Sequence, residues 1–394
     1  MKFRPHITTL VIIATLNGAA RAELPEAVPV DGETFHAAMI DCNEKWQLTF
    51  NTETDRLTIN AVDLVCWGAC GEVRRGPLVL LNDGSVLAAA VLTVKKQRMT
   101  VDSPVFGEVE LPLERVTGVV FELPTDRRRR DKLRKKITDA TGRSDCVMLS
   151  NGDRVTGAIQ SIEDDSIRLM TDVGPIDFET HRVEAIVFNP DLVRKTSPKG
   201  LSAWVGTADG SLLMAAGMDV NEESFGLKVL DGVRLAGSRK WLTFLQPIGG
   251  RATYLSDLEP SDYRFVPYLD LLWPYEVDAN VDGGRLRCKK RLYVKGLGVH
   301  SDTRTVYLLD ASYRRFQAEL GIDDSTLGRG SVRARIYVDD QLRHTTGVVR
   351  GGDVPVPINV DVSNGKRIDL VIDYADRANV LDRANFLNAR FVRQ

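Results

Sequence analysis

The sequence predicts an all-β protein in which several small β-barrel or meander units precede a C-terminal β-sandwich. Three observations carry this expectation. Apolar and polar residues alternate in short segments along most of the 394 residues, the period-2 signature of strands with one buried face. Asp-Gly or Asn-Gly pairs begin at Asp31, Asp83, Asn151 and Asp209, and a tight hairpin needs residues there that accept a positive φ. Amphipathic helical runs are scarce, and the length exceeds that of one ordinary domain. The net charge of −2 gives no general pull toward nucleic acid or anionic membranes.

The N-terminal segment reads as a signal peptide over residues 1–22. Lys2 and Arg4 give it a positive start, residues 7–16 are apolar, and Ala20-Arg21-Ala22 fits a small-x-small cleavage site. The apolar run is short for a bilayer span, so cleavage is the expectation, with the mature protein secreted or periplasmic and without a membrane span. Five cysteines, Cys42, Cys66, Cys70, Cys146 and Cys288, leave at least one unpaired. Cys66 and Cys70, with Cys42 nearby in sequence, offer one bridge. Zinc is the weaker reading, because His36 is the only histidine near them and a fourth clustered ligand is wanting.

Residues 149–190 show the repeating plan most clearly. A turn at Asn151-Gly152 leads into an alternating strand (Val155, Gly157, Ile159), two further strands follow, and residues 183–188 close the unit. The plan recurs from Asp83-Gly84 to residues 116–121, from Asp209-Gly210 to residues 241–244, and more weakly from Asp31-Gly32 to residues 64–67. The uneven spacing argues against a strict solenoid. The expected boundaries are small β units at 23–76, 77–125, 145–195 and 200–250, packed edge to edge because one alone would have a marginal core. Residues 195–200 (KTSPKG) read as an inter-unit loop.

Residues 126–144 interrupt the pattern as a basic linker of helical character. The run DRRRRDKLRKK places Arg127, Arg128, Arg129, Arg130, Lys132, Arg134, Lys135 and Lys136 together. A polyanion patch is one reading, a solvated linker the other. No aromatic residue within the run offers a stacking platform for bases, which favours the linker and argues against nucleic acid as a partner. Contact with an anionic glycan or surface polymer stays open.

From residue 251 to 394 the strands lengthen and aromatics increase, the pattern of an antiparallel β-sandwich. Within it, residues 293–310 (YVKGLGVHSDTRTVYLLD) read as a strand that breaks at Gly296 and Gly298 into a bend before a polar cluster. YLSDLEP (254–260), WPYEVDANVDGG (273–284), YVKGLGVHS (293–301), FQAELGIDD (316–324) and GSVRARIYVDD (330–340) resemble, in order, the motifs of the NPCBM family. The resemblance implies a galactose-binding-like jelly-roll sandwich, carbohydrate binding, and company with glycoside hydrolases of family 98 and other exported proteins. This chain departs from the family at Asp339-Asp340-Gln341, where a DG-type hairpin is usual. It departs again at Asp382-Arg383-Ala384-Asn385-Phe386, where the family tends to carry Asp-x-Ala-Asp-Trp.

Sugars are held by carboxylates and arginines on their hydroxyls and by an aromatic ring on their apolar face. Trp273, His300, Asp302, Arg304, Asp323 and Asp324 are the carbohydrate-binding candidates by type and position. Each also has a bland reading, as core packing for Trp273, a structural loop histidine for His300, and solvated charges for the others. Residues 278–283 (DANVDG) match the first half of a calcium loop, but its twelfth position is Lys289, which argues against an EF-hand. No cofactor is expected, and a structural calcium on Asp278 or Asp282 stays open.

The sequence contains no nucleophile elbow, HExxH, P-loop or dinucleotide fingerprint. The expectation is a non-enzymatic exported protein binding a glycan or cell-surface polysaccharide. The alternatives are a structural or protein-interaction component of the cell envelope, with envelope proteins as partners, and, more weakly, an accessory part of a glycoside hydrolase system.

Overall fold

A computed structural model describes residues 24–163, 165–193, 200–229, 232–267, 272–376 and 378–394. The expected signal peptide, and residues 195–199 of the expected inter-unit loop, lie outside them. The described residues are almost entirely antiparallel β-structure, as the alternation predicts. Twenty-two strands join into one hydrogen-bonded network over the N-terminal region, and two six-stranded sheets follow in the C-terminal region.

The N-terminal network repeats one plan over residues 26–68, 78–120, 145–187 and 202–248. In each unit a first strand turns at the Asp-Gly or Asn-Gly pair, a meander follows, a short 3-10 turn intervenes, and a closing strand returns to pair with the first. Gly84 and Gly210 sit at φ 89° and 91°, the left-handed region that side chains rarely adopt. The preceding aspartates fix both turns, with the Ser85 N–H donating to Asp83 Oδ1 at 2.8 Å and the Ser211 N–H to Asp209 Oδ1 at 3.0 Å.

The units pair through their closing strands, and sequence neighbours are not always partners. Val116–Val120 of the second unit runs antiparallel to Val183–Val187 of the third. Leu64–Gly68 of the first meets Leu242–Ile248 of the fourth. In both pairs strands of the two meanders also touch, at Val94 with Ile162 and at Cys42 with Val220. The second and fourth units then join at Val86 and Leu212. One apolar cluster, including Leu48, Phe50, Val79, Met99, Val147, Ile186, Val205 and Leu245, runs through all of them. Sharing it stabilises units too small to bury adequate cores alone.

The basic run forms a single α-helix, α1 (Arg127–Thr138), capped by the Asp126 carboxylate on the Arg129 N–H at 2.9 Å. It is solvated on one side only, which corrects the expectation of a solvated linker. Leu133 and Ile137 are buried against Leu78, Val120, Met148 and Val187. Periodicity carries this: the only apolar residues of the run stand four apart and so share a helix face.

The C-terminal sandwich has one sheet in the order Glu276–Val277, Gly296–His300, Arg383–Arg393, Tyr313–Ile322 and Val356–Asp361, with Ala252–Tyr254 also pairing the long strand Arg383–Arg393. The other runs Asp262–Phe265, Thr303–Leu308, Arg367–Tyr374, Ser331–Val338 and Gln341–Thr345, with Val349–Arg350 pairing Ser331–Val338. Leu297, Val299, Phe316, Leu320, Ile336, Leu370, Phe386 and Phe391 fill the space between.

The glycine-permitted bend expected at Gly296 and Gly298 is instead a continuous inner strand. A Cβ at Gly298 would stand 2.4 Å from the Ala279 carbonyl oxygen, so glycine there admits the backbone of a crossing loop. The chain bends two residues beyond the strand's end, at Asp302, whose φ is 61°.

The sandwich is docked on the N-terminal platform through a mixed core of Val65, Cys66, Phe244, Tyr254, Leu292 and Val294. Polar links surround it. The Tyr254 hydroxyl donates to the Val65 carbonyl at 3.2 Å, Gln246 Nε2 donates to Asn388 Oδ1 at 3.1 Å, and Arg291 pairs with Glu26 at 2.9 Å. All five cysteines are free thiols, so the expected bridge among Cys42, Cys66 and Cys70 is not formed. Cys42 donates instead to the Met218 carbonyl in the seam between the first and fourth units, while Cys66 and Cys70 sit in the docking core.

Candidate functional site

Trp273 and His300 meet at one end of the sandwich, where the strand Gly296–His300 runs beside the start of Arg383–Arg393. His300 and Arg383 are direct cross-strand neighbours. The Trp273 indole stacks on the His300 ring with centroids 5.4 Å apart and planes within 9°, and the Arg383 guanidinium lies 5.6 Å from the indole centre. Phe265 meets His300 edge-on. Trp273 is partly buried, and the Tyr263 hydroxyl donates to its carbonyl at 3.0 Å. Burial, with the nearby Arg383 charge adding to it, lowers the His300 pKa. The imidazole is therefore neutral at pH 7, which suits stacking and hydrogen bonding rather than charge pairing.

Arg383 is oriented by Asp282, at 2.5 Å, and reaches Ser325 Oγ at 3.4 Å. Asp282 lies on the loop that crosses Gly298, so the strand glycine and the arginine's partner are one arrangement. Below them Asp323 is 2% exposed. Its Oδ1 accepts from Asn280 Nδ2 at 3.0 Å and the Ser325 N–H at 2.9 Å. Its Oδ2 accepts from the Arg287 N–H at 3.1 Å and Asn385 Nδ2 at 2.8 Å. Four donors saturate the carboxylate, so Asp323 braces the site from beneath and does not present an oxygen to a ligand. That corrects its assignment as a direct contact. Asp324 is similarly engaged, accepting the Lys289 and Lys290 N–H groups at 3.0 and 2.8 Å.

Asp302 and Arg304 are not part of this cluster. Asp302 is half-buried in the bend after His300, and burial raises its pKa, with Asp373 adding to the rise. Arg304 donates from Nε and Nη2 to Asp369 Oδ2 at 3.0 and 2.5 Å on the second sheet. A cross-strand arginine–aspartate bridge accounts for it, and its assignment to the site is withdrawn.

The half calcium loop does not make an oxygen cage. Asp278 turns to Lys295 Nζ at 2.7 Å and the Gly296 N–H at 3.0 Å, whereas Asp282 turns to Arg383. The two carboxylates face different cations, and among the described residues no group of three His, Cys, Asp or Glu side chains converges. The loop's asparagine has a structural role, since Asn280 Oδ1 accepts the Asp282 and Gly284 N–H groups at 3.1 and 2.9 Å.

Between this end of the sandwich and helix α1 runs a groove of about 610 Å³. Arg127, Arg128 and Lys132 line one wall, and Asp282, Ser325 and Arg383 the other. The Arg128 guanidinium crosses it to donate to the Ser325 carbonyl at 2.6 Å. Arg287 forms the floor, clamped by Asp131 at 2.6 Å and Glu72 at 2.5 Å, so three separate segments meet on one guanidinium.

Residues 251–392, which form the two-sheet sandwich, match the NPCBM/NEW2 domain family. Among solved structures, a CBM51 module from Clostridium perfringens GH95, in complex with methyl-galactose, is 23% identical. The match covers 36% of this chain and 99% of that one, with a TM-score of 0.33. The CBM51-2 and INT domains of Clostridium perfringens ZmpB, in complex with GlcNAc, are 24% identical over 58% of this chain and 43% of theirs, with a TM-score of 0.33. Tandem CBM51 modules of a Streptococcus pneumoniae family 98 glycoside hydrolase are 11% identical over 66% of this chain and 91% of theirs, with a TM-score of 0.32. No curated protein matches the chain. Among the described residues no helix is long and apolar enough to cross a membrane.

Proposed function

We propose that the protein is a non-catalytic, exported carbohydrate-binding protein, and that the end of the sandwich around Trp273, His300 and Arg383 holds the sugar. The observation that carries this reading is the partly exposed Trp273 beside the Arg383–Asp282 pair. An apolar ring for a sugar face, next to fixed donors and acceptors for its hydroxyls, is the chemistry saccharides require. The match of residues 251–392 to the NPCBM/NEW2 family supports it. A non-catalytic role is favoured because Asp282, Asp323 and Asp324 are each already bonded to protein donors, whereas glycoside hydrolysis needs two carboxyls free to act on the substrate.

The test is a glycan array with the full chain, repeated with Trp273→Ala. Retention of particular glycans by the native protein and their loss in the variant is the expected result. A flat array with both proteins, together with capture of an envelope protein, would replace this reading with the structural one. Hydrolysis of any arrayed glycan would return an enzymatic one.

A further inference from the structure

The groove between helix α1 and the sandwich is lined by both acidic and basic residues, and the two kinds are not equally engaged. Its acidic residues are all engaged. Asp126 caps α1, Asp131 clamps Arg287, Asp282 holds Arg383, and Asp323 and Asp324 accept backbone and amide N–H groups. The cations on the helical wall are not neutralised. Arg127, Arg128 and Lys132 are exposed, and among the described residues none of them has a carboxylate partner. Arg128 donates to a carbonyl only, which leaves its charge unbalanced. The groove also lies at the N-terminal end of a 12-residue helix, whose aligned peptide dipoles favour negative charge there. Arg287 on the floor is 5% exposed, and its Nε–H has no acceptor among the described residues. Arg383 belongs to both places, lining the groove and lying over the Trp273 ring.

Resting on the carbohydrate reading above, we infer that the ligand is an acidic glycan. Its ring sits at Trp273 and its carboxylate or sulfate groups extend along the groove onto Arg127, Arg128 and Lys132. Guanidinium groups fit both anions through paired N–H donors, and an exposed lysine adds a point charge. The geometry disfavours nucleic acid, because no aromatic residue accompanies the cations along the helix for successive bases to stack on.

The experiment measures binding of the full chain to polygalacturonate, a sulfated galactan, an uncharged galactan and single-stranded DNA, at low and at physiological salt. The same series is run with Arg127→Glu/Lys132→Glu. Both side chains are exposed, and Arg127 stands in the first turn of the helix, where glutamate is favoured, so the variant is expected to fold. The expected result is binding to one of the acidic polymers that weakens with salt and falls about tenfold or more in the variant, a loss of one or more charge-assisted contacts. An uncharged galactan bound as well as the acidic polymers, or no change in the variant, overturns the acidic-ligand inference and leaves sugar binding standing. DNA bound as tightly as the acidic glycans overturns it in favour of an unselective polyanion surface. No binding to any polysaccharide, charged or not, removes the carbohydrate reading itself.

Discussion

Ser85 and Ser211 exchange hydrogen bonds across the seam between the second and fourth units. Ser85 Oγ accepts from the Met214 N–H, and Ser211 Oγ accepts from the Ala88 N–H, each at 2.9 Å. Both serines follow an Asp-Gly turn, and each reaches the residue three positions beyond the other serine. The two units therefore face one another about a local twofold. Both side chains are at most 2% exposed, so no water replaces the missing partner if one is removed.

Ser85→Ala and Ser211→Ala each leave one buried N–H without an acceptor. Each should cost about 1–3 kcal/mol in chemical denaturation. A variant as stable as the native protein would mean that the seam relaxes to find another acceptor.

Asp323→Ala strands four donors around an emptied site, and the expected loss of stability is about 3 kcal/mol or more. Asp302→Ala, in a half-buried bend, should cost much less. Thermal melts of the two variants side by side check the contrast, and equal melting temperatures would deny Asp323 its bracing role.

Asp382 and His300 give the sandwich opposite responses to pH. Burial raises the Asp382 carboxyl from 3.8 to about 6, with Asp302 adding to the rise and the Ser331 and Ser301 donors opposing it. The folded state then binds the proton more tightly than the unfolded chain. This contribution is fully present below pH 3.8 and is lost as the pH rises through about 6. His300 is lowered by burial, so its contribution is present above the unfolded value of 6.5 and is lost as the pH falls below it. Asp382→Asn keeps an acceptor for the Ser331 N–H without the charge. It should gain stability over the native protein at pH 8 and lose that advantage at pH 4. A difference independent of pH would show that Asp382 does not titrate in this range.

Burial pushes the Cys42 thiol up to about 12 and the Cys66 thiol up to about 11, while Cys146 is only partly buried. A thiol reagent at neutral pH should therefore modify Cys146 first in the native protein and reach all five after denaturation. Mass spectrometry of the labelled peptides identifies the order. Fewer than five reactive thiols in the denatured protein would reveal a disulfide.

The repeating units were legible because their signals are local. Asp83-Gly84 and Asp209-Gly210 dictate turns wherever they stand, and alternation marks the strands that flank them. Which unit pairs with which was not legible. The contact of Gly68 with Phe244 joins strands far apart in sequence, and nothing near either residue names the other. The site divides in the same way. Trp273 and His300 stand in motifs that carry family order. Arg383 stands in a run that lacks the family's tryptophan, and Asp282 in a loop that matches half of a calcium motif. Both are ordinary charged residues until the fold sets them 2.5 Å apart. Asp323 was legible as a polar residue at a strand end, but its saturation depends on Asn280, Arg287, Ser325 and Asn385 arriving together.

The join between platform and sandwich is unusually short. Residues 249–251 alone separate the closing strand Leu242–Ile248 from Ala252–Tyr254, which pairs at once with the long final strand. Arg251 is fixed there, its N–H donating to the Val62 carbonyl at 3.0 Å and its guanidinium pairing with Asp63 at 2.9 Å. A pull on the sandwich therefore finds no slack to take up. It passes into the platform as shear across paired strands and ion bridges, and the molecule responds as a stiff bracket where a flexible leash would first extend.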